Sequence, residues 1–125
     1  MQRIIPIVIG ILAVIGVLVS AAPARAQNGA IAFDDENCAW GRSWNYSTAQ
    51  QAATVALQQC RYASCEVLAQ IGPRQCGSLA TTANCKGWGW STRPTLAEAQ
   101  AAALQDCASA NTGYECIARV GDCNR

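Results

Sequence analysis

A cysteine-framed segment that occurs twice is the feature that most constrains how this chain can fold. The first copy runs from Cys38 to Cys60 and the second from Cys85 to Cys107, and in both the closing cysteine stands 22 positions after the opening one. Because the match continues on either side, the sequence predicts an internally duplicated unit, with repeat 1 at about 29–75 and repeat 2 at about 76–123. The framed copies share five residues: Thr48 with Thr95, Ala52 with Ala99, Ala56 with Ala103, Leu57 with Leu104 and Gln58 with Gln105.

A secretory signal peptide is predicted at residues 1–26. Arg3 precedes an apolar run of 16 residues, and Ala24-Arg25-Ala26 follows as a small-residue cleavage site. The alternative is a retained membrane anchor, but the apolar run is short for a spanning helix. We therefore expect contact with a membrane only through the uncleaved signal peptide, and a single domain at 27–125.

The eight cysteines all follow the predicted signal peptide. An even set of this density in a small exported domain is typical of a disulfide framework, so we expect a secreted, periplasmic or cell-envelope protein. The chain has no histidine and no C-x2-C pair, so neither a metal site nor a cofactor is expected. Loss of Arg3 and Arg25 leaves seven basic residues against eight acidic ones, a balance that argues against nucleic acid as a partner. We expect a monomer.

Each repeat is predicted to fold as strand, strand, helix, strand. Short apolar or aromatic runs bounded by turn residues indicate the strands, and alanine-rich segments with apolar residues every three or four positions indicate the helices. The fold class predicted is α+β, with two helices packed on one small, mostly antiparallel sheet of six strands and stapled by disulfides. Strands are expected at 29–33, 38–46, 65–71, 76–80, 85–91 and 116–120, and helices at 48–60 and 95–107.

Capping residues mark the start of both helices. Thr48 with Gln51, and Thr95 with Glu98, have the spacing of a capping box, in which each member satisfies a free amide at the helix N-terminus. The apolar stripe of each helix consists mostly of alanines, so we expect both helices to lie close against the sheet.

The cysteine spacing favours two of the four bridges. Cys60 ends the first helix and Cys65 begins the next strand, so a bridge across that corner, with its copy Cys107–Cys116, is the first expectation. The order in which Cys38, Cys76, Cys85 and Cys123 pair stays open. They can pair within the copies, as Cys38–Cys76 and Cys85–Cys123, or between them, as Cys76–Cys85 and Cys38–Cys123.

These motifs together resemble a bacterial secreted family known as domain of unknown function 4189. The resemblance covers residues 29–123 and implies a small secreted, disulfide-linked domain, but it implies no catalytic residues. It marks Cys38 and Cys85 as additions to the usual pattern, which allows an extra bridge. The matching residues are Gly29, Ala52, Ala56, Leu57, Cys60, Cys65, Cys76, Ala99, Ala103, Leu104, Cys107, Cys116 and Cys123.

Residues suited to catalysis are few. Histidine, the usual general base, is missing, and an even cysteine count argues against a free thiolate. Asp34, Asp35 and Glu36 are adjacent in a predicted turn, a pattern more typical of a solvated loop than of two carboxylates facing each other across a cleft.

Four tryptophans form the sharper candidate site: Trp40, Trp44, Trp88 and Trp90 fall on the two equivalent predicted strands. If exposed, their indoles would form a binding face for a cell-wall glycan or a secreted protein. If buried, they supply the volume that alanine-rich helices leave unfilled.

We therefore expect a non-catalytic extracellular or cell-envelope binding module rather than an enzyme. The first alternative is a protein inhibitor of a secreted hydrolase, because small disulfide-linked domains present rigid loops. The second alternative is a weak hydrolase that uses the carboxylate of Asp34 or Glu36.

Overall fold

The computed structural model describes residue 16 and residues 27–125. The predicted signal peptide, residue 16 apart, lies outside the described residues. None of the helices within the described part combines the length and apolar character needed to cross a membrane. The strands are β1 Asn28–Asp34, β2 Ala39–Tyr46, β3 Glu66–Ile71, β4 Cys76–Thr82, β5 Trp88–Arg93 and β6 Cys116–Cys123, and the helices are α1 Ala49–Cys60 and α2 Leu96–Ala110.

The strands form two antiparallel sheets of three strands each. Their strand orders are β2-β1-β3 and β5-β4-β6, so the two units have the same arrangement. The α+β class is confirmed, but the expected single sheet of six strands is wrong. The sheets pack face to face, with α1 and α2 on the two outer faces. The reason lies in the central strands: β4 is buried at all seven residues, and β1 at all but its first, so both faces of each sheet must be covered.

The main core lies between the two sheets. Ile31, Phe33 and Ile71 of the first sheet pack against Leu79 and Val120 of the second. Smaller cores lie beneath the helices and consist largely of alanines, which allow each helix to approach its sheet closely. Buried alanines and cysteines line both helix faces as predicted: Ala52, Ala56 and Cys60 of α1, and Ala99, Ala103 and Cys107 of α2.

The predicted N-caps are present, although within residues 27–125 neither Gln51 nor Glu98 reaches back with its side chain to complete a capping box. Thr48 Oγ1 accepts a hydrogen bond from the N–H of Gln51 at 3.1 Å, and Thr95 Oγ1 accepts one from the N–H of Glu98 at 3.2 Å. The side chain of Gln51 does not reach back to Thr48, because its Oε1 accepts a hydrogen bond from the hydroxyl of Ser47 at 2.7 Å. Helix α2 ends at Ala110, three residues later than predicted.

Four disulfides join the described cysteines. Cys60–Cys65 and Cys107–Cys116 are the two bridges that the spacing favours. Both arrangements considered for the other four are wrong, because the structure pairs Cys76 with Cys123 and Cys38 with Cys85. Cys76 and Cys123 are direct partners on the antiparallel strands β4 and β6. The bridge Cys38–Cys85 links the two units, and it is the extra bridge that the resemblance allows.

The two aromatic strands correspond at an offset of 48 residues rather than the 47 of the framing cysteines. Trp40 lies opposite Phe33 in the first sheet, and Trp88 lies opposite Thr81 in the second, so Trp40 and Trp88 occupy equivalent positions. Strand β2 then accommodates one additional residue in an irregularity before Tyr46, where Asn45 has a positive φ of 62°. By their partners on the central strands, Arg42 of β2 is equivalent to Trp90 of β5. Leu68 and Arg119 are the additional residues at the bulges of β3 and β6, so these two are also equivalent.

Candidate functional site

The structure separates the four predicted tryptophans into two pairs. Trp40 and Trp44 on β2 are partly buried against the core between the sheets. Trp88 and Trp90 on β5 are 36% and 40% exposed. Strand β2 faces β6 and β5 faces β3, so the two pairs lie at opposite edges of the molecule. They therefore do not form one continuous aromatic face.

Trp44 is partly buried, and the polar atom of its ring lies inside the protein. Its indole Nε1 is buried and has no hydrogen-bond partner among the described residues. An unpaired buried N–H destabilises the folded state by its lost hydration. The apolar packing of the Trp44 ring must therefore contribute more free energy than this N–H loses. Trp44 therefore packs as part of the core.

A groove of about 520 Å³ lies at the edge formed by β2 and β6. We call it the arginine groove, because its three charged residues, Arg42, Arg61 and Arg119, come from β2, the C-terminal cap of α1 and β6. The remaining lining residues are Trp40, Gly41, Gln59 and Val120.

Arg119 is held in place from two sides. Its guanidinium carbon lies 5.4 Å from the centroid of the Trp40 ring, a cation–π arrangement. Its Nε donates a hydrogen bond to Thr81 Oγ1 at 2.9 Å, which fixes the plane of the guanidinium group. The side chain is therefore positioned before any ligand binds, which lowers the entropic cost of using it for recognition.

Arg61 has a backbone conformation that arginine seldom adopts. It follows the last residue of α1 with a φ of 76°, in the left-handed region where glycine is usual, and its N–H donates to the carbonyl of Leu57 at 3.2 Å. The disulfide Cys60–Cys65 encloses this turn. Glycine would adopt this conformation with less strain, so the backbone of this cap does not require an arginine.

The arginine groove carries uncompensated positive charge. No carboxylate oxygen within residues 27–125 lies within 4.0 Å of a guanidinium nitrogen of Arg42, Arg61 or Arg119. The chain as a whole has a formal net charge of only +1. The positive charge is thus a local property of this edge, where guanidinium forks can bind a carboxylate, phosphate or sulfate group.

No motif in the sequence brings the three arginines together. Arg61 and Arg119 are 58 positions apart in the chain and belong to different units. The sole local signal is Arg61 itself, which occupies the place after a helix where glycine is expected.

A second groove of about 620 Å³ lies along the flank of α1. We call it the glutamine groove. None of its lining side chains is charged, and most carry an amide or a hydroxyl group. They are Tyr46, Thr48, Gln50, Gln51, Thr54, Val55 and Gln58.

Asp34, one of the carboxylates considered for hydrolysis, is buried at the end of β1. Its oxygens accept hydrogen bonds from Asn37 Nδ2 at 2.6 Å, Ser64 Oγ at 2.8 Å and the N–H of Glu36 at 3.1 Å. The bond from Asn37 contributes most to lowering the pKa of Asp34, and the lowering persists although burial acts in the opposite direction. A general acid must be protonated near neutral pH. Because the pKa of Asp34 is lowered, this carboxyl is less often protonated there than an ordinary aspartate.

Comparison with known proteins places the chain among mycobacterial relatives. Protein Rv1269c of Mycobacterium tuberculosis (strain ATCC 25618 / H37Rv) and Protein Mb1300c of Mycobacterium bovis (strain ATCC BAA-935 / AF2122/97) are each 40% identical over 83 residues. These matches cover 66% of this chain and 63% of each relative, so the chain spans less than two thirds of the curated relatives it matches.

A solved structure and a family model also match this chain. The NMR structure of Rv1813c from Mycobacterium tuberculosis superposes with a TM-score of 0.53 over 99% of this chain and 97% of that chain, at 21% identity. At this identity the likeness shows a shared fold. The family described as Domain of unknown function (DUF4189) matches residues 28–123, and the chain therefore belongs to this family.

Proposed function

We propose that this protein is a non-catalytic extracellular or cell-envelope module that binds an anionic group of its ligand in the arginine groove. The observation that carries the proposal is the convergence of Arg42, Arg61 and Arg119 around Trp40 with no carboxylate partner among residues 27–125. Four disulfides in a domain of this size are consistent with an oxidising compartment.

Binding accounts for the groove better than catalysis does. The chain contains no histidine, and the Asp34 carboxylate accepts hydrogen bonds from two groups of the following turn and from the hydroxyl of Ser64. A guanidinium group carries a positive charge and offers no acceptor, so it attracts anions but does not serve as a general base. Electrostatic attraction at a partly open groove should also make the affinity fall with added salt.

Titration of the purified, oxidised protein with small anions tests the proposal. We expect glucuronate, phosphate or sulfate to change the fluorescence of Trp40, which lines the groove. Arg42→Gln removes an exposed charge from the groove and should weaken binding, whereas Arg74→Gln removes the same charge from an exposed turn elsewhere and should not. Equal affinity in the parent and Arg42→Gln would contradict the proposal.

The Trp88–Trp90 edge supports a second candidate function. Two exposed indoles side by side on an edge strand suit the centre of a protein interface, where tryptophan often contributes much of the binding energy. We propose that this edge would contact the target if the protein is an inhibitor of a secreted hydrolase. In that case Trp90→Ala, but not Arg42→Gln, should relieve the inhibition of a susceptible glycosidase or peptidase.

We also propose that the two units arose by duplication and that residues 1–26 direct export. Support for duplication comes from the shared strand order and from the matching N-terminal caps Thr48 and Thr95. Support for export comes from the apolar run and the cleavage motif that ends at Ala26. N-terminal sequencing of protein recovered outside the cytoplasm should begin at Gln27, and a chain that retains Met1 there would refute the cleavage.

A further inference from the structure

We infer that the ligand is an acidic oligosaccharide that lies along the β2–α1 edge, with its acidic group in the arginine groove and its neutral sugar units in the glutamine groove. This inference rests on the proposed function, because it needs the arginine groove to bind an anion. It adds the chemical class of the ligand, a second subsite and the direction in which the ligand runs.

The two grooves lie at opposite ends of one pair of elements. Strand β2 runs antiparallel to α1. A side chain at Gly41 would collide with the backbone at the C-terminal end of α1. Ser43 Oγ donates a hydrogen bond to the carbonyl of Ala52, near the N-terminal end of α1, at 2.5 Å. Arg42 lines the first groove and Tyr46 lines the second. At about 3.3 Å per strand residue, and with the irregularity at Asn45 between them, the two are at most about 13 Å apart, a distance that a short oligosaccharide can span.

The lining of the glutamine groove matches the chemistry of a neutral sugar. Amide and hydroxyl groups both donate and accept hydrogen bonds, as sugar hydroxyls do, and the half-buried ring of Tyr46 adds a flat apolar surface. Gln50 and Gln58 are exposed, and within residues 27–125 neither side-chain amide is engaged in a hydrogen bond. Both are therefore free to bind a ligand.

The second unit shows that the fold does not require these polar residues. Counting from the caps Thr48 and Thr95, the residues of α2 that correspond to Gln50, Thr54 and Val55 are Ala97, Ala101 and Ala102. Helix α2 forms at the same place on its sheet with alanine at each position. Gln58 has a counterpart in Gln105, so Gln50 and Thr54 are the polar residues of the flank that the fold does not require.

Two arginines of the groove also have no arginine at the equivalent position of the other unit. The equivalent of Arg42 in the second unit is Trp90, and the equivalent of Arg119 in the first unit is Leu68. The three arginines of the arginine groove, together with the side chains of Gln50 and Thr54, therefore distinguish the β2–α1 edge from the β5–α2 edge. A ligand that carries an acidic group at one end and hydroxyl groups along the rest is complementary to this edge.

An extended peptide fits the edge less well than a sugar. Peptides that bind at a sheet edge add a strand through the free N–H and carbonyl groups of the edge strand. On β2 the N–H of Arg42 already donates to Gln59 Oε1 of the helix, at 3.4 Å. This contact covers the edge at the point where an added strand would have to pair.

NMR titration of the isotope-labelled, oxidised protein tests the inference with three probes: glucuronate, an oligosaccharide of alternating glucuronate and N-acetylglucosamine, and a glutamate tetrapeptide. The variant Gln50→Ala/Thr54→Ala gives α1 the residues of α2, and Arg42→Gln reports on the arginine groove. Ala97→Gln/Ala101→Thr, the reciprocal change on α2, is the matched control.

We expect the oligosaccharide to shift the side-chain signals of both grooves. The Gln50→Ala/Thr54→Ala variant should bind it about tenfold more weakly, the loss expected for one or two hydrogen bonds, and should bind glucuronate as the parent does. Arg42→Gln should weaken binding of both sugars, and the α2 control should weaken neither.

Three results would overturn the inference in distinguishable ways. If glucuronate binds and the Gln50→Ala/Thr54→Ala variant retains full affinity for the oligosaccharide, the second subsite is wrong and the proposed function survives. If the tetrapeptide binds more tightly than the oligosaccharide at the same signals, the ligand class is wrong. If no probe shifts any signal of the arginine groove, the proposed function itself fails.

Discussion

The Oδ1 atom of Asn124 accepts a hydrogen bond from the backbone N–H of Asn45 at 2.9 Å, although the two residues are 79 positions apart. The side-chain nitrogen of Asn124 donates to the carbonyls of Ile71 and Gly72, both at 2.9 Å. Asn45 returns the contact, because its Oδ1 accepts from the N–H of Arg125 at 2.8 Å. One buried asparagine near the C-terminus thus connects the end of the second unit to β2 and β3 of the first.

Replacing Asn124 with alanine should therefore destabilise the whole domain. The change removes three hydrogen bonds, of which the one to Ile71 is buried and the other two are partly buried, at a cost of about 2–4 kcal/mol in the free energy of unfolding. Chemical denaturation with the disulfides intact measures the change. Arg125→Ala is the control, because Arg125 contributes its backbone N–H, and an equal loss in both variants would show that Asn124 has no special role.

Arg61→Gly should separate stability from binding. Glycine adopts the left-handed conformation at this helix cap without strain, so the variant should be as stable as the parent or more stable by up to about 1 kcal/mol. The same change removes one of the three guanidinium groups, so anion affinity should fall. Thermal unfolding and anion titration of one preparation provide both values, and a stability loss beyond about 1 kcal/mol would mean that the Arg61 side chain supports the fold.

Asp34 should make the protein sensitive to acid. Its pKa is lower in the folded state than the ordinary value of 3.8, so its contribution to stability is complete above that value and is lost as the pH falls through the folded-state pKa. The unfolding free energy of the parent should therefore decrease more steeply below about pH 4 than that of Asp34→Asn. Asp106→Asn, an exposed change on α2, should retain the parent slope in the same pH series.

Gly89→Ala should disturb the contact between α2 and its sheet. A Cβ at this position would lie 2.7 Å from the carbonyl oxygen of Ala103 and would collide with the N–H of Cys107, so the helix must move outward. We expect a cost of about 1–3 kcal/mol by denaturation. Gly72→Ala meets nothing closer than 3.7 Å and serves as the control; matched stabilities of the two variants would refute the close packing.

Acrylamide quenching of tryptophan fluorescence should resolve two classes of indole. Trp88 and Trp90 are more than a third exposed, whereas Trp40 and Trp44 are shielded by the core and by Arg119. The double variant Trp88→Phe/Trp90→Phe should therefore lose most of the quenchable emission, and Trp40→Phe/Trp44→Phe should retain it. Uniform quenching across the four tryptophans would contradict the separation into two pairs.

Local sequence signals determined the secondary structure and the nearest disulfides. The hydroxyls of Thr48 and Thr95 start the helices because each satisfies a free amide of the first turn, whatever the helix packs against. Cys60 and Cys65 are brought together by the turn at the end of α1, so their pairing depends on local geometry. The buried face of each helix follows from the period of its alanines in the same way.

Only the tertiary structure determined how the two sheets pack and which side chains come together at their edges. Alternation along a strand does not say whether a helix or a second sheet covers a given face, so the division into two sheets and the bridge Cys38–Cys85 were not determined locally. The arginine groove arises for the same reason. Arg42, Arg61 and Arg119 have no pattern in sequence, and they converge because face-to-face packing of the sheets places β6 of one unit beside β2 of the other.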